Sequence, residues 1–354
     1  MRRSVKLAAV VLSGSLGIAS LAACGAKSTS TSSSASGGGS GIKVGMAYDV
    51  GGRGDQGFND SAAAGLDRAK TDFGITANEA EAKNGESDSD KQARLEQLVT
   101  AGYNPIIAVG FVYQPAVEKV AKEHPNVKFA IIDSDSPTQP SNVTSLEFTE
   151  QQSSYLAGIA AALKTQKKQV GFIGGVQSEL IKKFEAGYRA GVASVDPNIK
   201  VDVTYLTTPP DFTGFSDPAK GKSAAQGQLD KGDDVIYTAA GASGTGAIQA
   251  VAAKPGTWAI GVDSDQAKQT ALAAYKNQIL TSALKNVDTA VYSYIQSVKN
   301  GTPETGIQRF DLKSGGVGLA TTGGHIDDIK AKLDAATQQI VSGTTQIPTA
   351  PSAG

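Results

Sequence analysis

The chain has 354 residues but only one cysteine, Cys24, and two histidines, His124 and His325. A single cysteine excludes an intramolecular disulfide framework. With so few thiols and imidazoles, a zinc site of the usual ligand set has almost nothing to draw on. A serine–histidine–aspartate triad would have to recruit one of two histidines far apart in sequence. His124, in Lys122-Glu123-His124-Pro125, reads as the end of a helix, where a surface imidazole suits the negative end of the dipole. No basic stripe interrupted by aromatics occurs, and the formal charge of −1 excludes a nucleic-acid footprint. Beyond the first two dozen residues no apolar run approaches the ~20 needed to span a bilayer. Neither catalytic nor metal-ligating residues are assigned, and no cofactor is expected.

What is present begins at the N-terminus. Met1-Arg2-Arg3-Ser4-Val5-Lys6 is a basic start, Leu7 to Ala22 is mostly apolar, and the run closes on Leu21-Ala22-Ala23-Cys24. That order of charge, apolar run and small residues is an export signal. The cysteine directly after Leu-Ala-Ala resembles a bacterial lipobox, which implies cleavage after residue 23 and lipidation of Cys24. Loss of Arg2, Arg3 and Lys6 with the signal takes the net charge from −1 to −4. Residues 24–41 are nearly all Ser, Thr, Gly and Ala, a composition that buries no apolar surface and forms a flexible tether. The expected location is the extracytoplasmic face of a bacterial cell membrane, held by the lipid.

From Ile42 the composition becomes globular, and about 300 residues suggest two lobes. Short apolar runs alternate with helical periods: strands over 42–48, 104–110, 128–133, 143–148, 169–174, 200–206, 234–239 and 258–262, with helices over 59–73, 91–101, 115–122, 151–164, 179–194, 219–231 and 246–253 between them. This alternation predicts an α/β protein with doubly wound parallel sheets. In such sheets the ligand crevice lies beyond the carboxyl ends of the strands. The residues there are Asp49, Gly110-Phe111, Asp133, Phe148, Gly174-Gly175, Gly241 and Asp263. Ala240-Gly241-Ala242-Ser243-Gly244-Thr245-Gly246 lacks the Lys-Ser/Thr ending of a phosphate loop and reads as a strand-to-helix turn facing the ligand.

Several segments resemble the basic membrane protein family of lipoproteins, the substrate-binding subunits of ABC transporters. They are Val44-Gly45-Met46-Ala47-Tyr48-Asp49, Gly54-Asp55-Gln56-Gly57-Phe58-Asn59-Asp60-Ser61-Ala62, Thr149 to Gly158, Val170 to Gly175, Phe184 to Gly191, Ile260 to Gln266 and Thr281 to Lys285. The resemblance implies the type I periplasmic-binding-protein fold, two lobes joined by three hinge crossings. On this chain lobe one is expected at 42–147 and 286–301, and lobe two at 148–285 and 302–345. A disordered tail is expected over 346–354, and residues 327–341 look helical without a functional account.

The resemblance also implies a nucleoside, purine for preference, as the ligand of a monomeric protein, and an ABC permease with its ATPase as partners. Phe58 and Tyr237 would stack on the two faces of the base. Asn59 and Asp133 would meet its edge, Asp49 and Asp263 would clamp the ribose, Lys285 would donate to a sugar oxygen, and Gly241 would offer the ligand a backbone amide. Asn59 could equally cap the helix that starts there. Three alternatives stay open: the same fold binding a sugar or a thiamine-like heterocycle, a nucleoside hydrolase built on Asp133-Ser134-Asp135, and a surface adhesin or signalling receptor with no transport role.

Overall fold

A computed structural model describes residues 41–351. The signal, Cys24 and the tether up to residue 40 lie outside the described residues, as do 352–354. No helix among the described residues is long and apolar enough to cross a membrane.

Two six-stranded sheets share one plan. In chain order the first half comprises β1 (Lys43–Ala47), α1 (Phe58–Phe73), β2 (Thr76–Ala80), α2 (Asp88–Thr100), β3 (Ile106–Ala108), α3 (Gln114–Glu123), β4 (Phe129–Ile132) and β5 (Val143–Phe148). The second comprises α4 (Glu150–Lys164), β6 (Gln169–Val176), α5 (Glu179–Val195), β7 (Lys200–Thr207), α6 (Pro218–Lys231), β8 (Val235–Ala239), α7 (Ser243–Ala252), β9 (Trp258–Asp263) and β10 (Ile279–Lys285). There follow α8 (Val287–Lys299), β11 (Gly306–Phe310), β12 (Val317–Leu319) and α9 (Lys330–Val341). The sheets run β2-β1-β3-β4-β5-β11 and β7-β6-β8-β9-β10-β12. Every pairing between these strands is parallel except β10 with β12. Strands β3, β4 and β8 are buried along their whole length, as expected where helices cover both faces.

Local chemistry sets the element ends. Asp55 accepts from the backbone N–H groups of Gly57, Asn59 and Asp60, so it caps α1. Gly74 ends that helix in the left-handed conformation at φ 62°. Ser87 and Asp90 form a reciprocal capping box at α2. Asp217 caps α6, whose first residue is Pro218.

Three expectations need correction. Strand β11 pairs with β5 and extends the first sheet, so residues 302–345 do not all belong to lobe two. The third crossing falls between Phe310 and Val317, after β11 and before β12 enters the second sheet. The tail is ordered through 351: Ile347 packs against the second-lobe core, and Pro348, Ala350 and Pro351 line a groove with Ala186 and Ala190 of α5. The helix expected over 327–341 is a 3₁₀ turn followed by α9, which buries Leu333, Ala336 and Ile340 in the core shared with α4.

Candidate ligand site between the lobes

The carboxyl ends of the two sheets face each other across a narrow cavity lined from both lobes. Lobe one lines it with Asp49, Asp55, Phe58, Asn59, Gly110, Phe111 and Asp133. From lobe two come Leu180, Ile181, Phe184, Phe215, Gly241, Asp263 and Lys285. Seven of the eight expected ligand residues meet here, because β1, β4, β9 and β10 all end at this face.

The polar groups are fixed before any ligand is considered. Asp49 leaves β1 with its Oδ1 accepting from the Val50 N–H at 2.6 Å. At Gly110, where φ is 101°, a Cβ would overlap the Asp49 carboxylate, so glycine there lets the acid lie flat against the end of β3. Asn59 does not cap α1; Asp55 does. The Asn59 side chain accepts from the Asp49 N–H at 3.0 Å and donates to Asp55 Oδ2 at 3.0 Å, tying helix to strand end. Asp133 and Asp263 both adopt left-handed backbone conformations, with φ 67° and 63°. A non-glycine residue held there is uncommon, and two at matching strand ends aim both carboxylates into one cleft.

Lys285 closes the back of the cavity. Its Nζ lies 2.6 Å from both carboxylate oxygens of Asp133, donating to Oδ2, and 2.9 Å from Oε1 of Glu150. Three rings surround the ammonium, with centroids 5.1 Å away for Phe58, 5.1 Å for Phe148 and 5.7 Å for Phe184. Burial opposes the charge on Lys285, but Asp133, Glu150 and Asp263 outweigh it and hold the group protonated above its usual range. Burial raises the acids as well: Asp49 and Asp263 to about 7, and Asp133 to about 6 despite Lys285. Asp55 is also raised by burial, against three backbone donors. One buried ammonium, already shared by two carboxylates, leaves no free cation for a phosphate. The site offers acceptors to hydroxyl and amino groups, and ring faces to a flat apolar body.

Tyr237 is the expected residue that does not reach the cavity. It is fully buried in β8, its ring packed against Phe172 and Tyr188 and its hydroxyl 3.2 Å from Ser154 Oγ. The half-buried lobe-two ring in the cavity is Phe215, from a short 3₁₀ turn after β7. Its ring lies against the Cα of Gly175, where any side chain would collide with it. Asp55, Glu150 and Phe215 carry weight that the sequence reading did not assign to them. Asp55 stands four residues before Asn59 in a glycine-rich turn, a spacing legible as a cap. Phe215 follows Pro209-Pro210-Asp211-Phe212-Thr213-Gly214, and an aromatic in a turn-rich segment is the signal that marks it.

Four contacts join the rims. Ser264 Oγ donates to the Gly57 carbonyl at 3.0 Å and Gln266 Nε2 to the Gln56 carbonyl at 3.3 Å. Ser216 Oγ donates to Asn84 Oδ1 at 3.1 Å, and Phe111 meets Phe212 edge-on with centroids 5.9 Å apart. The histidines lie elsewhere: His124 is the C-terminal cap of α3 and contacts Glu96, and His325 packs on Trp258.

Two matching α/β lobes whose strand ends converge on one polar, aromatic cavity define a two-lobed solute-binding protein. Comparison with known proteins narrows the class. Residues 42–350 match the family described as ABC transporter substrate-binding protein PnrA-like, and the chain belongs to that family. It is 35% identical to the ABC transporter nucleoside-binding protein BmpA of Lactococcus lactis, over 98% of this chain and 99% of that one. It is 31% identical to basic membrane protein A1 of Borrelia garinii, over 86% and 88% of the two chains. Among solved structures, a solute-binding protein of an ABC transporter system from Aeropyrum pernix superposes with a TM-score of 0.76 at 29% identity, covering 88% of this chain and 94% of that one. The chain is a substrate-binding protein of an ABC transporter.

Proposed function

We propose that this protein captures a nucleoside, with a purine base preferred, and delivers it to an ABC permease whose ATPase supplies the energy. Export by the N-terminal signal and lipidation of Cys24 would hold it on the extracytoplasmic face of the membrane. The observation that carries the ligand class is that half-buried Phe58 and Phe215, one from each lobe, line the same cavity as the acids Asp49, Asp133 and Asp263 and one neutralised lysine. The base lies between the rings, Asp133 accepts from its edge, and Asp49 and Asp263 accept from the two ribose hydroxyls. The Gly241 N–H and Lys285 donate to sugar oxygens, and Asn59 braces Asp49 and Asp55 beside the base. Similarity to the nucleoside-binding protein of Lactococcus lactis supports the same class.

Calorimetric titration of the full chain, unfolded and refolded to strip retained ligand, tests this. Adenosine, guanosine and inosine should bind at micromolar Kd or tighter, about −8 kcal/mol or better, while ribose gives no heat. Tight binding of ribose or of a thiamine-like amine, with every nucleoside silent, would overturn it.

A further inference from the structure

Glu150 is the first residue of α4, directly after the first crossing, and it is completely buried. It does not line the cavity. Its Oε1 forms an ion pair with Lys285 Nζ at 2.9 Å, and neither carboxylate oxygen has a hydrogen bond of regular geometry among the described residues. Removing a carboxylate from water costs several kcal/mol, which only a close cation and good hydrogen bonds offset. The helix N-terminus favours the charge somewhat, yet the side chain satisfies none of the helix's backbone donors. Its whole compensation therefore comes from Lys285.

The two anionic partners of Lys285 differ in which lobe they belong to. Lys285 ends β10 of the second sheet, and α4 packs on the second-lobe core, so Glu150 and Lys285 move together. Asp133 ends β4 of the first sheet. The Lys285–Asp133 contact therefore crosses the cleft, whereas Lys285–Glu150 does not. We propose that Glu150 is a positioning residue, holding the Lys285 ammonium in place within lobe two so that Asp133 and the ligand close onto a preset cation. This rests on the nucleoside reading for its choice of ligand, though not for the pairing itself.

The other groups facing Lys285 bear on the test. They are Asp133 on the end of β4 and Asp263 on the end of β9; Glu147 of β5 stands behind Asp133, 3.8 Å from Lys183 of α5. Burial raises Asp133, Glu147 and Asp263 to about 6, 7 and 7, so all three are mostly ionised by pH 8. Further pH dependence that disappears in Lys285→Gln reports the Lys285 ammonium.

The experiment is titration of the full chain with adenosine, which does not itself ionise in this range, from pH 8 to 9.5, for wild type, Glu150→Gln, Glu150→Asp, Lys285→Gln and the Glu150→Gln/Lys285→Gln double variant. The wild type is expected to bind with nearly constant affinity across this range. Glu150→Gln should bind at least tenfold more weakly at pH 8 and weaken further towards pH 9.5, because a lysine with one anion fewer loses its proton sooner. Glu150→Asp should recover part of the loss. In the Lys285→Gln background the second change should add little, as expected for groups acting through one another. Should Glu150→Gln fail to fold, the double variant, which removes both charges, is expected to fold. Equal, pH-independent losses in Glu150→Gln and Glu150→Asp, or full additivity with Lys285→Gln, would overturn the proposal. If wild type binds no nucleoside, the nucleoside reading fails. The pairing is then judged by nitrogen NMR of the Lys285 ammonium, which should deprotonate at lower pH in Glu150→Gln; an unchanged titration would refute it.

Discussion

Replacing Phe215 by alanine discriminates most sharply between the ring that lines the cavity and the ring expected from the sequence. Phe215 is half-buried and lines the cavity on the lobe-two side. A ligand can cover at most about a third of its surface, and full burial of a phenylalanine is worth about 1.5–3 kcal/mol. A third of that is about 0.5–1 kcal/mol, and ring stacking adds about 0.5–1.5 kcal/mol. The expected loss is therefore about 1–2.5 kcal/mol, or roughly 5- to 60-fold in Kd, since 1.4 kcal/mol is tenfold. Tyr237→Phe is the control. It removes only a hydroxyl 3.2 Å from Ser154 in a closed core, and nucleoside affinity should stay within about twofold. Both variants are read by calorimetry with inosine or adenosine. An unchanged Kd for Phe215→Ala, or a tenfold loss for Tyr237→Phe, would refute the assignment of the second ring.

Asp263→Ala should weaken nucleoside binding by tenfold or more while leaving free-base binding within about threefold, because the proposed contact is to ribose; equal losses in paired titrations would place Asp263 at the base instead. Asp233→Asn should stabilise the protein above pH 7 by ~2 kcal/mol. Asp233 is fully buried, and burial, then Asp202, raises its acid to about 7. Its folded form therefore holds a proton that the unfolded chain releases near pH 4, so stability falls as pH rises from about 4 to 7 and then levels off. Urea melts followed by the fluorescence of Trp258, the only tryptophan, should show the gain of the variant growing over that range; a gain independent of pH would sink the argument. By the same sign, Asp49, Asp263 and Glu147, each raised to about 7 by burial, should make the wild type melt higher at pH 5.5 than at pH 8; a lower melting temperature at pH 5.5 would show that other groups dominate.

The two-lobed α/β plan was legible because its central strands are buried on both faces and read as continuous apolar runs. Ile106-Ile107-Ala108 and Phe129-Ala130-Ile131-Ile132 are of this kind. The edges were not. Strand β2 is Thr76-Ala77-Asn78-Glu79-Ala80 with no residue fully buried, and β11 is Gly306-Ile307-Gln308-Arg309-Phe310 with Ile307 exposed. Neither carries the hydrophobic pattern that marks a strand, and missing β11 displaced the third crossing. The site residues at strand ends were found by topology. Phe215 escaped that rule because it comes from a loop beyond a strand end. Tyr237 was misplaced because alternation along β8 turns Tyr237 to the face packed by Phe172 and Tyr188.

The two sheets repeat one strand order, yet the cleft does not repeat its chemistry. Lobe one supplies Asp49, Phe58, Asn59 and Asp133, three of them acceptors or an acceptor's brace; lobe two supplies Phe215, Gly241, Asp263 and the only buried ammonium of the cavity. Phe58 and Phe215 come from different halves, and lobe one alone does not balance its carboxylates. Separated lobes would leave Asp133 without its cation and each ring with one wet face. Binding is thereby tied to approach of the lobes, since the stacking and the Lys285–Asp133 contact exist only together. The rim contacts of Ser264 with Gly57 and Gln266 with Gln56 reach the turn that presents Phe58, so the same approach that pairs the charges also seats the first ring.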